Sequence, residues 1–183
     1  MVKFKLQRWL LAGLVTVGLS ACASYSGSGL KPGVSSLNEV TAAMGQPAMV
    51  WENKDGSKQL AYPRGPSGTH TFMVQIGPDQ RLQSIDNVLR YKYFAQIIPG
   101  KTTQDQIIRL LGPSTPQWSM YYKARDELVW EWLYCDDQGY ETKFDVLFEG
   151  MNGPVRTTMS RPNYKGQDGA VPPCGQWYPP LSQ

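Results

Sequence analysis

A pattern of turn, helix and glycine stop occurs twice in this chain of 183 residues, and it constrains the fold more than any other feature. The first copy runs from 30 to 45 and the second from 97 to 112. In each copy a Pro-Gly turn precedes hydroxyl residues that can cap a helix, apolar residues follow at helical spacing, and a glycine ends the segment. Such self-similarity indicates two copies of one supersecondary unit.

The hydroxyl residues predict where each helix begins. The candidate N-caps are Ser35 or Ser36 in the first copy and Thr102 or Thr103 in the second. Ser36 and Glu39 have the spacing of a capping box, and Thr102 with Asp105 is a weaker version of it. Each helix is then expected to stop at the glycine that closes its copy, Gly45 or Gly112.

Segments of strand-forming residues follow each helix and predict about four antiparallel strands per copy. The predicted strands are 49–52, 59–62, 72–76 and 81–88, then 117–122, 127–134, 143–149 and 155–160. We therefore predict an α+β fold of two tandem repeats, spanning 30–90 and 97–162. In each, a short helical segment packs on an antiparallel sheet of about four strands.

The N-terminus predicts export. Residues 1–21 carry three basic residues and no acid, and their apolar stretch is far shorter than the roughly 20 residues of a spanning helix. Leu19-Ser20-Ala21-Cys22 resembles the lipobox of bacterial lipoproteins, which implies that Cys22 becomes the first mature residue and carries a diacylglycerol thioether and usually an acyl chain. An ordinary signal cut after Ala21 is the alternative. Residues 22–29 read as a flexible tether.

The lipobox resemblance also implies a cellular location. Residue 23 is Ala rather than Asp, which in enterobacterial sorting favours the outer membrane, so we expect a lipid-anchored protein that faces the periplasm. Several acyl chains anchor a protein stably. The formal net charge of +3 includes three signal residues, and their removal leaves 15 basic against 15 acidic groups. A neutral chain lacks the positive footprint that nucleic-acid binding needs.

Two cysteines remain after Cys22, and an oxidising periplasm favours a disulfide between them. We predict the bond Cys135–Cys174, which would contribute roughly 3–4 kcal/mol by closing its loop. Two separate buried thiols are the alternative. The Pro-rich tail, 163–183, is then expected to be an irregular wrap fastened at Cys174, with a free disordered tail as the other interpretation.

Catalytic chemistry is not indicated by any local spacing. The single histidine, His70, has no neighbouring metal ligands or triad partners and is interpreted as an ordinary strand-edge residue. The acidic pairs Asp126-Glu127 and Asp136-Asp137 are interpreted as turn acids rather than glycosidase carboxylates. We therefore expect a non-enzyme with no cofactor and no metal site.

Aromatic residues are concentrated in two adjacent predicted strands of the second copy, and they are the best indication of a binding surface. On 127–134, Trp130 and Trp132 share a face, and Trp118 and Tyr121 lie on the preceding strand. Two interpretations stay open: these residues form core, or they form a sheet face that binds a protein, since Trp and Tyr dominate interface hot spots. Trp118, Tyr121, Trp130 and Trp132 are the candidate partner-binding residues.

A family resemblance covers both copies. Gly100-Lys101-Thr102, then Ile107 and Leu111-Gly112, resembles the SmpA/OmlA domain of the outer-membrane lipoprotein BamE, and Gly33-Val34-Ser35 to Gly45-Gln46-Pro47 fits the same pattern. The resemblance implies a non-catalytic adaptor in outer-membrane protein assembly or envelope integrity, with barrel-assembly machinery as partner. Two units in tandem also resemble β-lactamase inhibitory proteins, which implies the alternative, an inhibitor or ligand-binding module that acts on an envelope enzyme.

Overall fold

A computed structural model of the chain describes residues 24–65, 68–114, 118–165 and 169–175. The predicted signal segment 1–21 and Cys22 lie outside these residues. No helix within the described ranges is long and apolar enough to cross a membrane.

Two four-stranded antiparallel sheets, each preceded by an eight-residue helix, form the described fold, and the α+β class is confirmed. The first half contains α1 (Leu37–Met44), β1 (Met49–Glu52), β2 (Lys58–Pro63), β3 (Thr71–Ile76) and β4 (Leu82–Asn87). The second half contains α2 (Tyr91–Phe94), α3 (Gln104–Leu111), β5 (Ser119–Tyr122), a 3₁₀ turn (Lys123–Arg125), β6 (Glu127–Cys135), β7 (Glu141–Glu149) and β8 (Val155–Pro162). Strand order follows the chain, β1-β2-β3-β4 and β5-β6-β7-β8.

Both eight-residue helices begin with a complete capping box. Ser36 caps α1: the Glu39 amide donates to its hydroxyl at 3.3 Å, and the Ser36 amide donates to the Glu39 carboxylate at 2.7 Å. In α3 the pair is Thr103 and Gln106, with distances of 3.3 and 2.9 Å. The suggested Thr102–Asp105 box is wrong, because the Thr102 hydroxyl instead accepts the Ile98 amide at 2.8 Å in the preceding turn.

Each sheet packs one face against its own helix, and we call this the helix face. In the first half the buried cluster joins α1 to β2, β3 and β4, with Val40, Met44, Leu60 and Val74 at most 2 % exposed. In the second half Ile107 and Leu111 of α3 and Phe94 of α2 pack on the same faces of β6 and β7. Ile107 is fully buried. Each half therefore has its own core, in which the apolar side of the helix contacts the apolar side of the sheet.

The opposite side of the first sheet, its back face, receives the second half. Ala61 and Met73 are buried there, and the α3 stop Gly112 lies against them. Gly112 has φ +75°, and a Cβ at this position would be 2.8 Å from the Thr71 methyl carbon. The Gln59 amide group donates to the Arg109 carbonyl at 2.6 Å, which fixes α3 against this face. The packing order is therefore α1, first sheet, α3, second sheet.

Residues 24–29 correct the prediction of a flexible tether over 22–29. The Ser24 amide donates to the Ala43 carbonyl, and the Arg64 guanidinium donates to the carbonyls of Ser24 and Tyr25 at 3.2 and 2.7 Å. Gly27 is buried so tightly that a Cβ would lie 2.7 Å from the Ile85 methyl carbon. A Gly/Ser-rich composition predicts flexibility only where no surface covers the chain, and here the first half covers it.

The predicted disulfide, Cys135–Cys174, is present, with Cα atoms 5.9 Å apart. Beside it the Cys174 amide donates to the Gly139 carbonyl at 2.8 Å, and the Glu141 amide donates to Pro172 at 2.9 Å. The tail residues that the structure describes therefore wrap the β6–β7 hairpin as an irregular segment. The free-tail interpretation does not hold for them.

Candidate interaction surface

The tryptophans of β6 belong to the core. Trp132 is 3 % exposed, and Trp130 packs partly buried against the same cluster with its ring 4.7 Å from that of Phe148. Of the two interpretations left open, core is correct for this face, and the prediction that Trp132 contacts a partner is wrong. The reason is that these residues alternate onto the side of β6 that α2 and α3 cover.

The other two candidates, Trp118 and Tyr121, lie next to and in edge strand β5, and Tyr121 is on the same face of the sheet as Trp130. Trp118 is half-buried at the loop that joins β2 to β3, beside Pro63 and Gly68. Tyr121 is 39 % exposed, and its hydroxyl donates to the Asp126 carboxylate at 2.6 Å. That hydrogen bond to the carboxylate raises the pKa of Tyr121. The structure therefore does not bring the four predicted residues together on one surface.

Exposed apolar side chains of the second sheet lie on edge strand β5, whereas the tryptophans of β6 are covered. We define the β5 patch as Met120 and Tyr122, which share one face of the strand and are 53 and 39 % exposed; Tyr121, also 39 % exposed, points to the other face. The Arg125 guanidinium lies 4.4 Å from the centre of the Tyr122 ring. One edge of β5 has no neighbouring strand among the described residues. Met120 was missed, because an alternating strand pattern does not say which of its faces is covered.

The back face of the second sheet continues the apolar surface of β5. Met120 pairs with Val129, and Val129 with Leu147, so the three form a cross-strand row. Val129 and Leu147 are half-buried, and Met159 at the other edge is 50 % exposed. In the first half this face meets α3; the second half has no described helix on it.

Ion pairs occupy the same back face beside the apolar row. The buried carboxylates of Glu131 and Asp145 lie on neighbouring strands and share Arg161, whose Nε donates to Asp145 at 2.7 Å. Lys143 is 2.9 Å from Glu131. Burial alone would lower the pKa of Arg161, but the hydrogen bond and charge of Asp145, with Glu131, raise it. Both carboxylates are therefore paired with cations, while the second oxygen of Asp145, Oδ1, is buried without a hydrogen-bond partner among the described residues.

Another buried carboxylate, Glu127, is held in the same way at the start of β6. Its two oxygens are 2.9 Å from Arg125 and 3.2 Å from Arg156. The carboxylate predicted to lie in a turn is therefore the buried acceptor of two guanidinium groups. Its partner in the sequence pair, Asp126, adopts the left-handed conformation that ends the 3₁₀ turn.

A cleft of about 650 Å³ separates the end of β4 and α2 from the β6–β7 hairpin. His70 lies at its inner side, stacked on Phe72 at 5.7 Å, with Nδ1 3.2 Å from the Tyr25 hydroxyl. Burial, and then the charge of Arg90, lower the pKa of His70 and favour its neutral form. Asp136 closes the hairpin by accepting the Gln138 and Tyr140 amides, each at 2.9 Å.

Within the described residues no group of three or more His, Cys, Asp or Glu side chains is arranged to hold a metal ion. Comparisons of the chain with protein-family models, with curated proteins and with solved structures found no match.

Proposed function

We propose that the chain is a non-catalytic outer-membrane lipoprotein and acts as a protein-binding adaptor in outer-membrane protein assembly or envelope integrity. In this proposal its halves are tandem copies of a BamE-like unit. The support is the shared order of a capped eight-residue helix and four antiparallel strands, together with Pro-Gly turns before both helices. The lipobox-like sequence that ends at Cys22 supports the membrane anchor.

The observation that carries the binding proposal is a difference between the two edge strands. On β1, Met49 and Trp51 are half-buried against the back-face cluster, and Arg109 lies 5.8 Å from the Trp51 ring. On β5, Met120 and Tyr122 occupy the back face and stay exposed. The same kind of surface that the first half buries against the second half is thus left for a partner.

The size of the β5 patch suits a small hot spot. A buried aromatic side chain removes about 150–250 Å² from water, so Tyr122 with Met120 beside it on the same face can supply the centre of an interface. The free edge of β5 also offers unpaired backbone groups to an extended segment of a partner. Trp118, half-buried beside the start of the strand, would support the patch rather than contact the partner.

The anchor would hold the folded body close to the lipid surface. Ser24 is already hydrogen-bonded to Ala43, so a lipid on Cys22 would be separated from the first half by one residue. Two residues of chain span at most about 7 Å. The proposed adaptor is therefore not suspended on a long linker, and its partner would be bound near the membrane.

Metabolic labelling with palmitate tests the anchor. Cys22→Ala should abolish the acyl label and stop normal maturation, because the thiol is the site of the thioether. Cys174→Ser, which leaves the N-terminus intact, is the matched control and should keep the label. A Cys22→Ala protein that is still labelled would refute lipidation at this residue.

Affinity purification from detergent-solubilised membranes tests the adaptor. The wild-type chain should retain barrel-assembly subunits, and the double variant Met120→Ala/Tyr122→Ala should retain far less, by the roughly 1–3 kcal/mol that exposed hot-spot side chains contribute. Val50→Ala is the control, because Val50 is 54 % exposed on the other edge strand. Retention of an envelope hydrolase instead would favour the inhibitor alternative, and equal retention by all variants would refute the β5 patch.

A further inference from the structure

We propose that the cleft between the two halves binds a short oligosaccharide. The first half and α2 form one wall, with Asn87, Arg90 and Tyr91, and the β6–β7 hairpin forms the other, with Tyr134 and Asp137. Its volume of about 650 Å³ lies in the range of sites that enclose small ligands. The site does not depend on the β5 patch, which lies on a different strand.

Several polar groups of the cleft already have partners. Asp136 accepts two amides and the Thr142 hydroxyl, so both of its oxygens are used. The Tyr134 hydroxyl is 3.2 Å from that of Ser160. The carbonyl oxygen of Asn87 accepts the amides of Thr71 and Leu89 at 3.3 and 3.2 Å, which fixes the side chain and leaves its amide nitrogen as a donor.

The groups that remain are complementary across the cleft. Among the described residues, neither the Arg90 guanidinium nor the Asp137 carboxylate makes a side-chain hydrogen bond or ion pair, and both line the cleft. One wall thus presents donors, from Arg90 and Asn87, and the other presents an acceptor. A ligand that satisfies both walls must donate and accept at short intervals, which is what the hydroxyl groups of a sugar do.

Charge and aromatic surface point to the same class of ligand. The lining carries one guanidinium, Arg90, and two carboxylates, Asp136 and Asp137, so its net charge is small and the site does not select a strongly charged ligand. Tyr91, the first residue of α2, is 74 % exposed at the rim. An exposed aromatic ring beside fixed polar groups gives a flat apolar surface for the C–H face of a pyranose. The cleft exists only because two halves meet, so it would be absent from a single unit.

Binding of chitotriose and of maltotriose to the purified full-length protein in detergent, measured by isothermal titration calorimetry, tests this proposal. At least one saccharide should bind saturably at millimolar concentration or below. Tyr91→Ala and Asp137→Asn should each weaken that binding about tenfold or more. Tyr164→Ala, which removes a tyrosine that is 66 % exposed in the tail, should leave it unchanged.

Three outcomes would overturn the proposal. Neither saccharide binds at millimolar concentration; the two cleft variants bind as tightly as the Tyr164→Ala control; or triglycine binds in the cleft while both saccharides do not, which would assign the site to a peptide. All four proteins should share one thermal midpoint, because the substituted side chains are exposed.

Discussion

The two sheets have similar helix faces and very different back faces. On the first sheet the back face is apolar, with Ala61, Met73 and Val88 buried in one cluster that also contacts Tyr93 of α2. On the second sheet the buried back-face positions include Leu133, but beside it Glu131 and Asp145 are paired with Arg161 and Lys143. The first face is built to receive a helix of the same chain, and the second is built to remain at the surface.

The difference bears on what each face can contact. A large apolar sheet face left at the surface would bind other chains or aggregate, so a face that stays exposed needs polar groups. Buried ion pairs contribute little net stability compared with apolar residues of similar size, so they are better understood here as excluding a further helix. In the proposed function, the exposed β5 patch beside them is the part of this face that contacts the partner.

Placing a charge on the apolar back face of the first sheet should have the largest effect on the free energy of unfolding. Met73→Asp places a carboxylate at a position that is 3 % exposed, among the buried side chains of Ala61 and Val88. We expect a loss of about 3–5 kcal/mol in the free energy of unfolding, measured by urea denaturation. Met159→Asp, at the 50 % exposed position on the second back face, should change stability by less than about 0.5 kcal/mol. Equal losses would mean that the two faces are equivalent.

Removing the disulfide should destabilise the second half selectively. The double variant Cys135→Ser/Cys174→Ser opens a loop with a sequence separation of 39, which corresponds to about 3–4 kcal/mol on a chain-entropy account. Hydrogen exchange should show faster opening at Phe144 of β7 than in the wild type, with a smaller change at Val74 of β3. The same change at both amides would indicate that the halves unfold only together.

Breaking the ion pairs should cost less, because Arg161 is partly in water. Arg161→Met leaves Glu131 and Asp145 with Lys143 alone, and a side-chain exposure of 47 % reduces the expected loss to about 1–2 kcal/mol. The triple variant Glu131→Gln/Asp145→Asn/Arg161→Met should recover part of it by removing the uncompensated charge. If the triple variant were less stable than Arg161→Met, the charge-exclusion account of this face would be wrong.

The smallest effect concerns the two helix caps. Hydrogen bonds from the Ser36 amide and hydroxyl hold the pKa of Glu39 below its ordinary value of 4.5, whereas Gln106 in the other cap does not titrate. The contribution of Glu39 is therefore present above pH 4.5 and is lost as the pH falls through the lowered pKa.

An exchange of residues between the caps measures this contribution. Glu39→Gln should flatten the acid side of the stability profile, followed by chemical denaturation from neutral to acidic pH. Gln106→Glu should add an acid-sensitive cap to α3. A Glu39→Gln profile that matches the wild type would show that the α1 cap carries no pH dependence.

Local sequence signals predicted the elements well. Strand β1 begins and ends where the alternation predicted, and Ser36 forms its capping box with Glu39. The error at Thr102 arose because two adjacent hydroxyl residues offer equivalent side chains, and only the course of the turn at Ile98 decides which one caps. Which of two adjacent hydroxyl residues caps a helix depends on contacts in the folded turn, and the sequence spacing alone does not show them.

The incorrect predictions of exposed residues, for the tryptophan face and for the tether, have a different cause from the error at Thr102. Alternation correctly grouped Trp130 with Trp132, yet it could not say which side α2 and α3 would cover. The packing of Gly27 against Ile85 depends on a contact across 58 positions of the chain, so composition alone read that segment as a tether. The arrangement of Arg90 and Asp137 across the cleft requires both halves to be placed.

Site-specific photo-crosslinking in intact cells compares the two edge strands in the native envelope and tests whether β5, and not β1, contacts a partner. A photoreactive residue would replace Met120 on β5 or Val50 on β1, two positions with matched exposures of 53 and 54 %. We expect one discrete crosslinked envelope protein from position 120, the same one retained in affinity purification, and none from position 50. No crosslink at 120, or the same product from both positions, would contradict this expectation.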